Sequence, residues 1–466
     1  MKYHLIGICG AGMSAVAKLL IESGHTVTGS DEGFYPPISD YLVEHKIPCT
    51  TPFSANNIPG DVDYIVIGKH AKLVPEENEE VKAAFDSGKP ILSFPEVLKT
   101  LSKEKERTIA VGSYGKSTCT SLLAWCLEIN HKEPSYFIGA LPLTPHTNAH
   151  IGGGTDFIME GDEYPASNWD RTSKFLFLSP QNVLVTALAH DHVNVFPTHE
   201  DYIAPFAKLL SDVPGKKVLC LDDATIREKL PSFSGEIVTY GLSHDALYRA
   251  ENIEWGMVSS FDLMRAGERI ERLSTSLLGK HNIQNIVGVS ALLLETEKLS
   301  REELMHGISS FKGIVRRLDR KSDKTSVPVY EGFGSSVDKA KSAIEAIKLH
   351  FPARRLIVVF EPHTFSWRNR AALHWYDSVF GGVDHVYMYK PPEHGSSTHD
   401  QLTLEEIAER VQSAGISVTP FEHTATGLIE LINATTDNDV ILILSSGGMD
   451  GFIPETVVAL EEKFPS

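Results

Sequence analysis

A glycine-containing segment early in the chain has the residue types that bind phosphate. It runs Ala110-Val-Gly-Ser-Tyr-Gly-Lys-Ser-Thr118, follows a short apolar run and opens a helical pattern. Small residues let backbone N–H groups turn toward phosphate oxygens, and the helix N-terminus adds the positive end of its dipole. The segment fits the pattern G-x-x-x-x-G-K-[ST] at Gly115, Lys116 and Ser117, with Ala110 at the first glycine position. It predicts a nucleotide-binding loop in which Lys116 meets the β- and γ-phosphates and the Ser117 hydroxyl binds Mg²⁺.

Acidic residues that could complete a magnesium site stand further along the chain. Glu160-Gly-Asp-Glu163 follows the apolar run Phe157–Met159, so it is expected at the C-terminal end of a strand. Magnesium favours carboxylate and phosphate oxygens. A solvated surface loop has the same composition, so these residues alone leave both interpretations open.

A histidine pair forms another polar cluster. Ala189-His-Asp-His192 comes directly after the predicted strand Val183–Ala187. Two histidines two positions apart could be zinc ligands, but no further ligand spacing supports zinc. Ordinary surface histidines remain the alternative.

A second glycine-rich turn lies at the start of the chain. Gly10-Ala-Gly12-Met-Ser-Ala15 fits G-x-G-x-x-[GA] after the first predicted strand, and Asp31 follows the second strand in a place suited to a ribose hydroxyl. The pattern predicts a diphosphate site without saying which nucleotide occupies it. An NAD-dependent oxidoreductase is one hypothesis, although a dehydrogenase would not need the loop at Lys116.

The elements that must position these residues alternate between short apolar strands and helices, which predicts an α/β fold with parallel sheets. Strand–turn–helix patterns begin near Tyr3, near Thr108 and near Arg355. Three such starts predict three α/β units. Two charged stretches without apolar periodicity, Ser102–Arg107 and Gly313–Asp323, are interpreted as linkers. The predicted domains are therefore residues 1–106, 107–312 and 313–466.

The composition limits the class of protein. The 466 residues have a formal net charge of −18, which argues against a nucleic-acid-binding protein. The five scattered cysteines form no C-x-x-C pair and fit a reducing compartment. No signal-peptide pattern and no bilayer-length apolar run occur. We expect a cytoplasmic protein, monomeric or weakly dimeric, with no membrane contact.

These segments, in this order, resemble the Mur ligase family over nearly the whole chain. Gly7-Ile-Cys-Gly-Ala-Gly-Met-Ser14 is similar to the family's UDP-sugar-binding turn, and Gly112-Ser-Tyr-Gly-Lys-Ser-Thr118 to its ATP loop. Glu160-Gly-Asp-Glu-Tyr164 resembles its E-x-D-E magnesium motif. Gly279-Lys-His-Asn-Ile-Gln-Asn285 matches its adenine-contacting motif G-x-H-N-x-x-N, and Phe311–Asp319 resembles its domain-joining segment, whose arginine meets the nucleotide.

The resemblance implies an ATP- and Mg²⁺-dependent carbon–nitrogen ligase of peptidoglycan synthesis. It implies a Rossmann-like N-terminal domain for the UDP-sugar, a central P-loop ATPase-type domain, and a Rossmann-like C-terminal domain for the amine substrate. The catalytic residues would be Lys116, Glu163 and His192, and the metal ligands Ser117, Glu163 and His192. The implied ATP-binding residues are Gly112, Ser113, Tyr114, Gly115, Lys116, Ser117, Thr118, Asn282, Asn285, Arg317 and Glu331. The implied UDP-sugar-binding residues are Gly10, Ala11, Gly12, Met13, Ser14 and Asp31.

Arg368 and Arg370 are candidate anchors for a carboxylate of the amine substrate, because guanidinium groups pair with carboxylates through two hydrogen bonds. Solvated cations at a helix end are the alternative interpretation.

Within the family, two branches share the motifs. Ser30–Ser39 with its Tyr-Pro-Pro, Ser173-Lys-Phe175, Asp191-His192 through Phe196 and Ser445–Gly451 resemble the murein peptide ligases. Those enzymes join L-alanyl-γ-D-glutamyl-meso-diaminopimelate to the lactyl carboxylate of UDP-N-acetylmuramate through an acyl phosphate, in peptidoglycan recycling. Glu361-Pro-His-Thr-Phe-Ser366 is closer to UDP-N-acetylmuramate–L-alanine ligase. We expect the tripeptide ligase first and the L-alanine ligase as the alternative. A non-catalytic or repurposed nucleotide-binding homologue is a further alternative.

The chain departs from the family at two places. The family usually carries Asp-Asp-[Tyr/Phe]-[Ala/Gly]-His-His-Pro after the domain join, and here the matching stretch is Glu331-Gly-Phe-Gly-Ser-Ser-Val337. The acid persists as Glu331, whereas Ser335, Ser336 and Val337 replace the two histidines and the proline. Ala189 stands where related ligases carry a glutamate. These changes bear on ATP placement and on the choice of amine.

Overall fold

The computed structural model describes residues 1–35, 38–190, 192, 195–392 and 400–466. Pro36, Pro37, Asp191, Val193 and Asn194, which belong to motifs quoted above, lie outside the described residues. The strands form three sheets. The chain divides into two compact units, Met1–Asn252 with Phe261–Ser274 and Ile283–Phe311, and Ile253–Ser260 with Thr275–Asn282 and Lys312–Ser466.

The first sheet has five parallel strands in the order β3-β2-β1-β4-β5. Its strands are β1 Lys2–Ile6, β2 Thr26–Ser30, β3 Cys49–Thr50, β4 Tyr64–Ile67 and β5 Ile91–Leu92. Its helices are α1 Ala11–Glu22, α2 Ile38–Glu44, α3 Glu79–Asp86 and α4 Phe94–Leu101. The strand order reverses beside β1, so the turn from β1 to α1 lies where open α/β sheets bind ligands.

The second sheet has ten strands in the order β15-β14-β13-β12-β11-β10-β6-β9-β7-β8. Its strands are β6 Glu106–Val111, β7 Ser135–Phe137, β8 Ala149–His150, β9 Asp156–Glu160, β10 Asn182–Val185, β11 Lys217–Cys220, β12 Ile237–Gly241, β13 Tyr248–Glu254, β14 Ser259–Arg265 and β15 Glu268–Thr275. Its helices are α5 Lys116–Ile129, α6 Lys174–Phe177, α7 His199–Asp212, α8 Ala224–Lys229, α9 Lys280–Glu295 and α10 Arg301–Ser310. Strand β6 is parallel to both neighbours, β9 and β10, so the residues that follow these three strands meet at one edge.

The third sheet has six strands in the order β16-β17-β21-β18-β19-β20, with only β16 antiparallel to its neighbour. Its strands are β16 Arg317–Arg320, β17 Val329–Gly332, β18 Arg355–Phe360, β19 His385–Tyr389, β20 Val418–Phe421 and β21 Asp439–Leu444. Its helices are α11 Val337–His350, α12 Phe365–Arg368, α13 Leu404–Ser413, α14 Thr424–Ala434 and α15 Phe452–Lys463.

Strand β18 shows why this sheet is covered on both faces. Leu356, Val358 and Phe360 belong to one buried cluster, and the intervening Ile357 and Val359 belong to another. Alternate residues of a strand point to opposite faces, so a continuous apolar run buries both.

The predicted α/β class is confirmed, and β9 and β10 start and end within two residues of the predicted segments Phe157–Met159 and Val183–Ala187. Interpreting Gly313–Asp323 as a linker was wrong in part, because Arg317–Arg320 is strand β16, paired antiparallel with β17. Its charged residues gave no apolar alternation to detect. Glu106 and Arg107, taken as the end of the first linker, begin β6. Among the described residues, no helix is both long and apolar enough to span a bilayer.

Candidate active site

The loop between β6 and α5 has the backbone that a phosphate cradle requires. Gly112 and Gly115 have φ angles of 127° and 82°, a region that glycine occupies without strain. A Cβ on Gly112 would lie 2.6 Å from the carbonyl oxygen of Ala187, and one on Gly115 would lie 2.7 Å from Asn285 Oδ1. Gly115 caps α5 without a side-chain hydrogen bond, so the first-turn N–H groups of this helix are available to an anion.

Contacts with the segment after β10 fix the shape of this loop. The Ser113 hydroxyl donates to the carbonyl oxygen of Ala189 at 2.6 Å and lies 2.9 Å from the Tyr202 hydroxyl. The Thr186 hydroxyl donates to the carbonyl oxygen of Tyr114. The cradle is therefore held in shape by protein groups alone.

A buried carboxylate lies opposite the loop lysine. Lys116 Nζ is 2.8 Å from Glu163 Oε2, and the Glu163 side chain is 1% exposed. His192 Nε2 lies 3.2 Å from the other oxygen, Oε1. Among the described residues, no donor reaches Glu163 Oε1 with hydrogen-bond geometry. Magnesium takes carboxylate oxygens as ligands, so the buried Glu163 Oε1 without a donor fits the magnesium that the sequence predicts.

Tyr164 orients His192. The Tyr164 hydroxyl lies 3.0 Å from His192 Nδ1, and the two ring centroids are 4.4 Å apart. The φ angle of His192 is 56°, a left-handed value that costs energy for a residue with a side chain. The Tyr164 contact therefore orients the imidazole, and its Nε2 faces Glu163.

The other predicted metal ligand, Ser117, points to a different acid. Its hydroxyl donates to Glu160 Oε1 at 3.0 Å, and Glu160 Oε2 accepts from the backbone N–H of Gly139 at 2.7 Å. No set of three His, Cys, Asp or Glu side chains within the described ranges is arranged to hold a metal ion.

The histidine cluster does not form a zinc pair. His190 Nε2 lies 2.8 Å from the carbonyl oxygen of Phe196, and its ring lies near His199 and Tyr202, whereas His192 faces Glu163. The two histidines therefore have different partners.

One cleft of about 840 Å³ in the first unit joins the two glycine loops. Gly10, Lys116, Glu160 and His192 all line it. Of the predicted UDP-sugar residues, five line the cleft: Gly10, Ala11, Gly12, Met13 and Asp31. Ser14 is buried and its hydroxyl donates to the carbonyl oxygen of Ala11, so it stabilises the turn.

The Asp31 carboxylate braces the first turn. Its two oxygens accept the backbone N–H groups of Cys9 and Glu32, each at 2.7 Å. Asp31, which the sequence assigned to a ribose hydroxyl, therefore also stabilises the backbone of the first turn. Burial and the neighbouring Asp31 raise the pKa of the Cys9 thiol to about 12, so Cys9 stays protonated at neutral pH.

Three lysines that line the cleft, Lys69, Lys72 and Lys174, were not among the predicted site residues. Lys174 Nζ is 2.6 Å from Asp162 Oδ2, and the Lys69 ammonium lies 5.6 Å from the Tyr164 ring centroid. Burial favours a raised pKa for Asp162, but the Lys174 ammonium outweighs it and the pKa is lowered. Lys69 comes two residues after the end of strand β4, which neighbours β1. That position was the signal available in the sequence.

The predicted nucleotide residues divide between the two units. Asn285 belongs to the first unit, where it contacts Gly115, and Asn282 belongs to the second, where it donates to the carbonyl oxygen of Leu278. In the second unit Arg317 is exposed. Glu331 is buried there and pairs with Arg316 and Lys321 at 2.8 and 2.7 Å.

The candidate amine anchors are engaged by other groups of the protein. Arg368 is buried and donates to the carbonyl oxygen of Pro392 at 2.8 Å. Arg370 pairs with Asp400 at 2.6 Å and with Glu406 at 2.7 Å. A substrate carboxylate at Arg370 would exchange with one of these acids, and the assignment remains a prediction.

The serines that replace the family's histidines have structural partners. Ser336 caps α11, because its hydroxyl oxygen accepts from the backbone N–H of Lys339. Lys339 Nζ donates to Ser335 Oγ at 3.1 Å, and the Thr364 hydroxyl donates to the Ser335 carbonyl oxygen at 3.2 Å.

Three family models match the chain in succession. The Mur ligase family, catalytic domain, covers residues 2–106; the Mur ligase middle domain covers 111–293; and the Mur ligase, glutamate ligase domain, covers 316–447.

Individual relatives agree over most of the chain. UDP-N-acetylmuramate–L-alanine ligase from Oleidesulfovibrio alaskensis is 30% identical over 396 residues, with 83% of each chain covered. The enzyme of the same name from Endomicrobium trichonymphae is 29% identical over 447 residues, with 95% of each chain covered.

Solved structures share the fold. UDP-N-acetylmuramate–alanine ligase from Thermotoga maritima is similar with a TM-score of 0.77 at 23% identity, covering 99% of this chain and 100% of that one. UDP-N-acetylmuramate:L-alanyl-γ-D-glutamyl-meso-diaminopimelate ligase from Neisseria meningitides gives 0.62 at 26% identity, covering 68% of this chain and 99% of that one. The chain therefore belongs to the Mur ligase family of ATP-dependent amide ligases.

Proposed function

We propose that this ligase joins L-alanine to the lactyl carboxylate of UDP-N-acetylmuramate and converts ATP to ADP and phosphate. The observation that carries the proposal is the shared cleft, which both the diphosphate-type turn at Gly10 and the phosphate loop at Lys116 line. An enzyme that phosphorylates a carboxylate on a nucleotide sugar needs two phosphate-binding turns that open on one space.

The choice of amine differs from the sequence-based expectation. The motifs placed the tripeptide first, whereas the full-length relatives carry the name of the L-alanine ligase. The tripeptide L-alanyl-γ-D-glutamyl-meso-diaminopimelate remains the second candidate, because a ligase named for that substrate has the same fold at 26% identity.

The first step forms an acyl phosphate. A lactyl carboxylate oxygen attacks the γ-phosphorus of ATP, the bond to the β-phosphate oxygen breaks, and ADP leaves with that electron pair. Such a transfer depends mainly on positioning and on neutralising charge. The positive end of the α5 dipole and the Lys116 ammonium would face the phosphates of ATP. The backbone at Gly10–Met13 would hold the sugar diphosphate.

Magnesium, when bound, would neutralise phosphate charge. Glu163 and His192 would hold it through Oε1 and Nε2, and Ser117 is the third candidate ligand. Lys116 would then leave Glu163 and contact the phosphates. In the second step the amine nitrogen attacks the acyl carbon and phosphate departs.

The test is phosphate release from ATP with Mg²⁺ and UDP-N-acetylmuramate, with L-alanine or the tripeptide in separate reactions. L-Alanine is expected to give turnover, and Lys116→Ala is expected to abolish it. Turnover with the tripeptide alone would move the assignment to the recycling ligase. Silence with both amines, while the UDP-sugar still binds, would overturn the proposal and leave a non-catalytic nucleotide-binding homologue.

A further inference from the structure

Two ammonium groups in the first-unit cleft have no role in the reaction described above. Lys69 and Lys174 line the cleft and lie near one aromatic ring, because the Tyr164 centroid is 5.6 Å from Lys69 Nζ and 5.9 Å from Lys174 Nζ. Lys174 Nζ is also 5.1 Å from the Phe94 centroid, and the Lys174 side chain is only 16% exposed. The aromatic rings attract these cations without neutralising their charge.

The two lysines share one acid. Lys174 Nζ pairs with Asp162 Oδ2 at 2.6 Å, whereas no acid of the described residues forms an ion pair with Lys69. Burial and the nearby Lys174 ammonium lower the pKa of Lys69, and the Asp162 carboxylate opposes them only in part. Two positive charges beside one negative charge favour the binding of an added anion. This part of the cleft therefore suits an anionic group of a ligand.

The neighbours of the acid indicate which anion arrives there. Glu163 directly follows Asp162, and its carboxylate is 2.8 Å from Lys116 of the phosphate loop. The first glycine turn, Lys116 and both cleft lysines line the same cavity. In the proposed reaction the sugar extends from its diphosphate at the glycine turn to its lactyl carboxylate, which meets the γ-phosphate of ATP beside Lys116. That carboxylate is the anion nearest to Lys69 and Lys174.

We propose that Lys69 and Lys174 bind the lactyl carboxylate of the UDP-sugar and thereby select a sugar that carries this acid. The inference rests on the proposed ligase function. Lys69 contributes an ammonium group that has no acid of its own. An ammonium group has three N–H donors, so Lys174 binds the substrate carboxylate and keeps Asp162. The Asp162 charge then repels the bound carboxylate and limits its affinity.

The test compares two nucleotide sugars that differ at the lactyl group. UDP-N-acetylmuramate carries the carboxylate, and UDP-N-acetylglucosamine has a hydroxyl group in place of the lactyl ether. Calorimetric titration without ATP gives both dissociation constants. Their ratio isolates the contribution of the lactyl group, because the uridine and the diphosphate are common to both sugars. Lysines that held the diphosphate instead would contribute equally to both affinities.

The variants are Lys69→Met, Lys174→Met and Asp162→Asn. Lys72→Met is the matched control, because Lys72 lines the same cleft but pairs with Glu32 at 2.9 Å, and these side chains are 58% and 65% exposed. Lys69 is exposed and has no ion pair to lose, so Lys69→Met tests the inference independently of the fold.

Lys69→Met and Lys174→Met are each expected to reduce the preference for UDP-N-acetylmuramate by about tenfold or more, the effect of losing a hydrogen bond between charged groups. Binding of UDP-N-acetylglucosamine should stay within about threefold of wild type, because that sugar makes no such bond. Asp162→Asn should increase the preference, since it removes a negative charge beside the carboxylate, and a purely structural role would give no such gain. Lys72→Met should keep the wild-type ratio.

Equal losses of affinity for the two sugars in the lysine variants would overturn the inference. An unchanged ratio in Lys69→Met, or a wild-type protein that binds the two sugars equally, would overturn it as well. A wild-type protein that binds neither sugar would instead overturn the proposed function.

Discussion

Asn285 fills the space that a side chain at Gly115 would need, because its Oδ1 would lie 2.7 Å from a Cβ placed there. The Cys119 thiol also donates to this oxygen, at 3.4 Å. Asn285, the last residue of the adenine-type motif, and the phosphate loop are therefore packed together inside the first unit, although they are far apart in sequence. Gly115 also has a left-handed φ of 82°.

Gly115→Ala is expected to weaken ATP binding by at least about tenfold, because strain and the clash with Asn285 shift the phosphate cradle. Gly24→Ala is the matched control, since Gly24 has a φ of 79° but nothing lies within 4 Å of the place that an added methyl group would occupy. Both variants should lose about 1 kcal/mol of stability from the backbone alone. Calorimetric titration with ATP distinguishes them, and equal affinities in the two variants would contradict the packing argument.

Lys116→Met should stop ADP formation and also destabilise the protein. Removing one partner of a buried pair leaves Glu163 uncompensated, which costs about 3–5 kcal/mol. The double variant Lys116→Met/Glu163→Gln should regain much of this stability and remain inactive. Lys208→Ala is the control, because the Lys208–Asp212 pair is 62% and 56% exposed and contributes little. Thermal melts and phosphate release measure the two effects. A double variant as unstable as the single one would show that the pair is not the cause.

Metal binding should depend on Glu163 and His192 and not on His190. We expect chelation of divalent ions to stop turnover, and Mn²⁺ with a non-hydrolysable ATP analogue to bind at least about tenfold more weakly to Glu163→Gln or His192→Gln. His190→Gln should bind normally, since that ring faces Phe196. Electron paramagnetic resonance of free Mn²⁺ gives the affinities. Normal Mn²⁺ binding by both ligand variants would refute the assignment.

A buried acid in the first sheet should make stability depend on pH. Burial alone would raise the pKa of Glu80, but hydrogen bonds from His4, Ser30, the Ser54 N–H and Asn57 outweigh it and lower the pKa below 4.5. The depressed pKa stabilises the fold above pH 4.5 and loses that contribution as pH falls through the folded value. Urea unfolding of wild type and Glu80→Gln should therefore differ most above pH 4.5, and the difference should shrink as pH falls through the lowered pKa of Glu80. A stability difference between the two proteins that does not change with pH would contradict this role of Glu80.

The sequence predicted the parts of the fold and site that depend on local pattern. The apolar run at Arg355–Phe360 predicted β18, and Gly115-Lys116-Ser117 predicted the turn that caps α5. The family resemblance predicted more than the local patterns did, since it implied that Glu163 and Lys116 belong to one site, and the two residues form an ion pair. Membership of the Mur ligase family also removes the oxidoreductase alternative that the first glycine turn had left open.

Long-range pairing was beyond the sequence. Strand β16 is charged, and only its ladder with β17 and the ion pairs of Glu331 show that it is a strand. Likewise, the position of Ser117 in the sequence does not show that its hydroxyl donates to Glu160 rather than facing Glu163. Arg370 has the spacing of an anchor, and its pairing with Asp400 and Glu406 depends on contacts about thirty or more residues away.

The ion pair between Lys116 and Glu163 sets a rule for ligands. A nucleotide without a bound cation could pair with Lys116 only by leaving the buried Glu163 carboxylate without its ammonium partner. A nucleotide that carries its own divalent cation would satisfy both groups at once, because Lys116 would pair with phosphate and Glu163 would hold the cation. Under the proposed mechanism, the Lys116–Glu163 pair would therefore favour binding of metal-complexed ATP over free ATP.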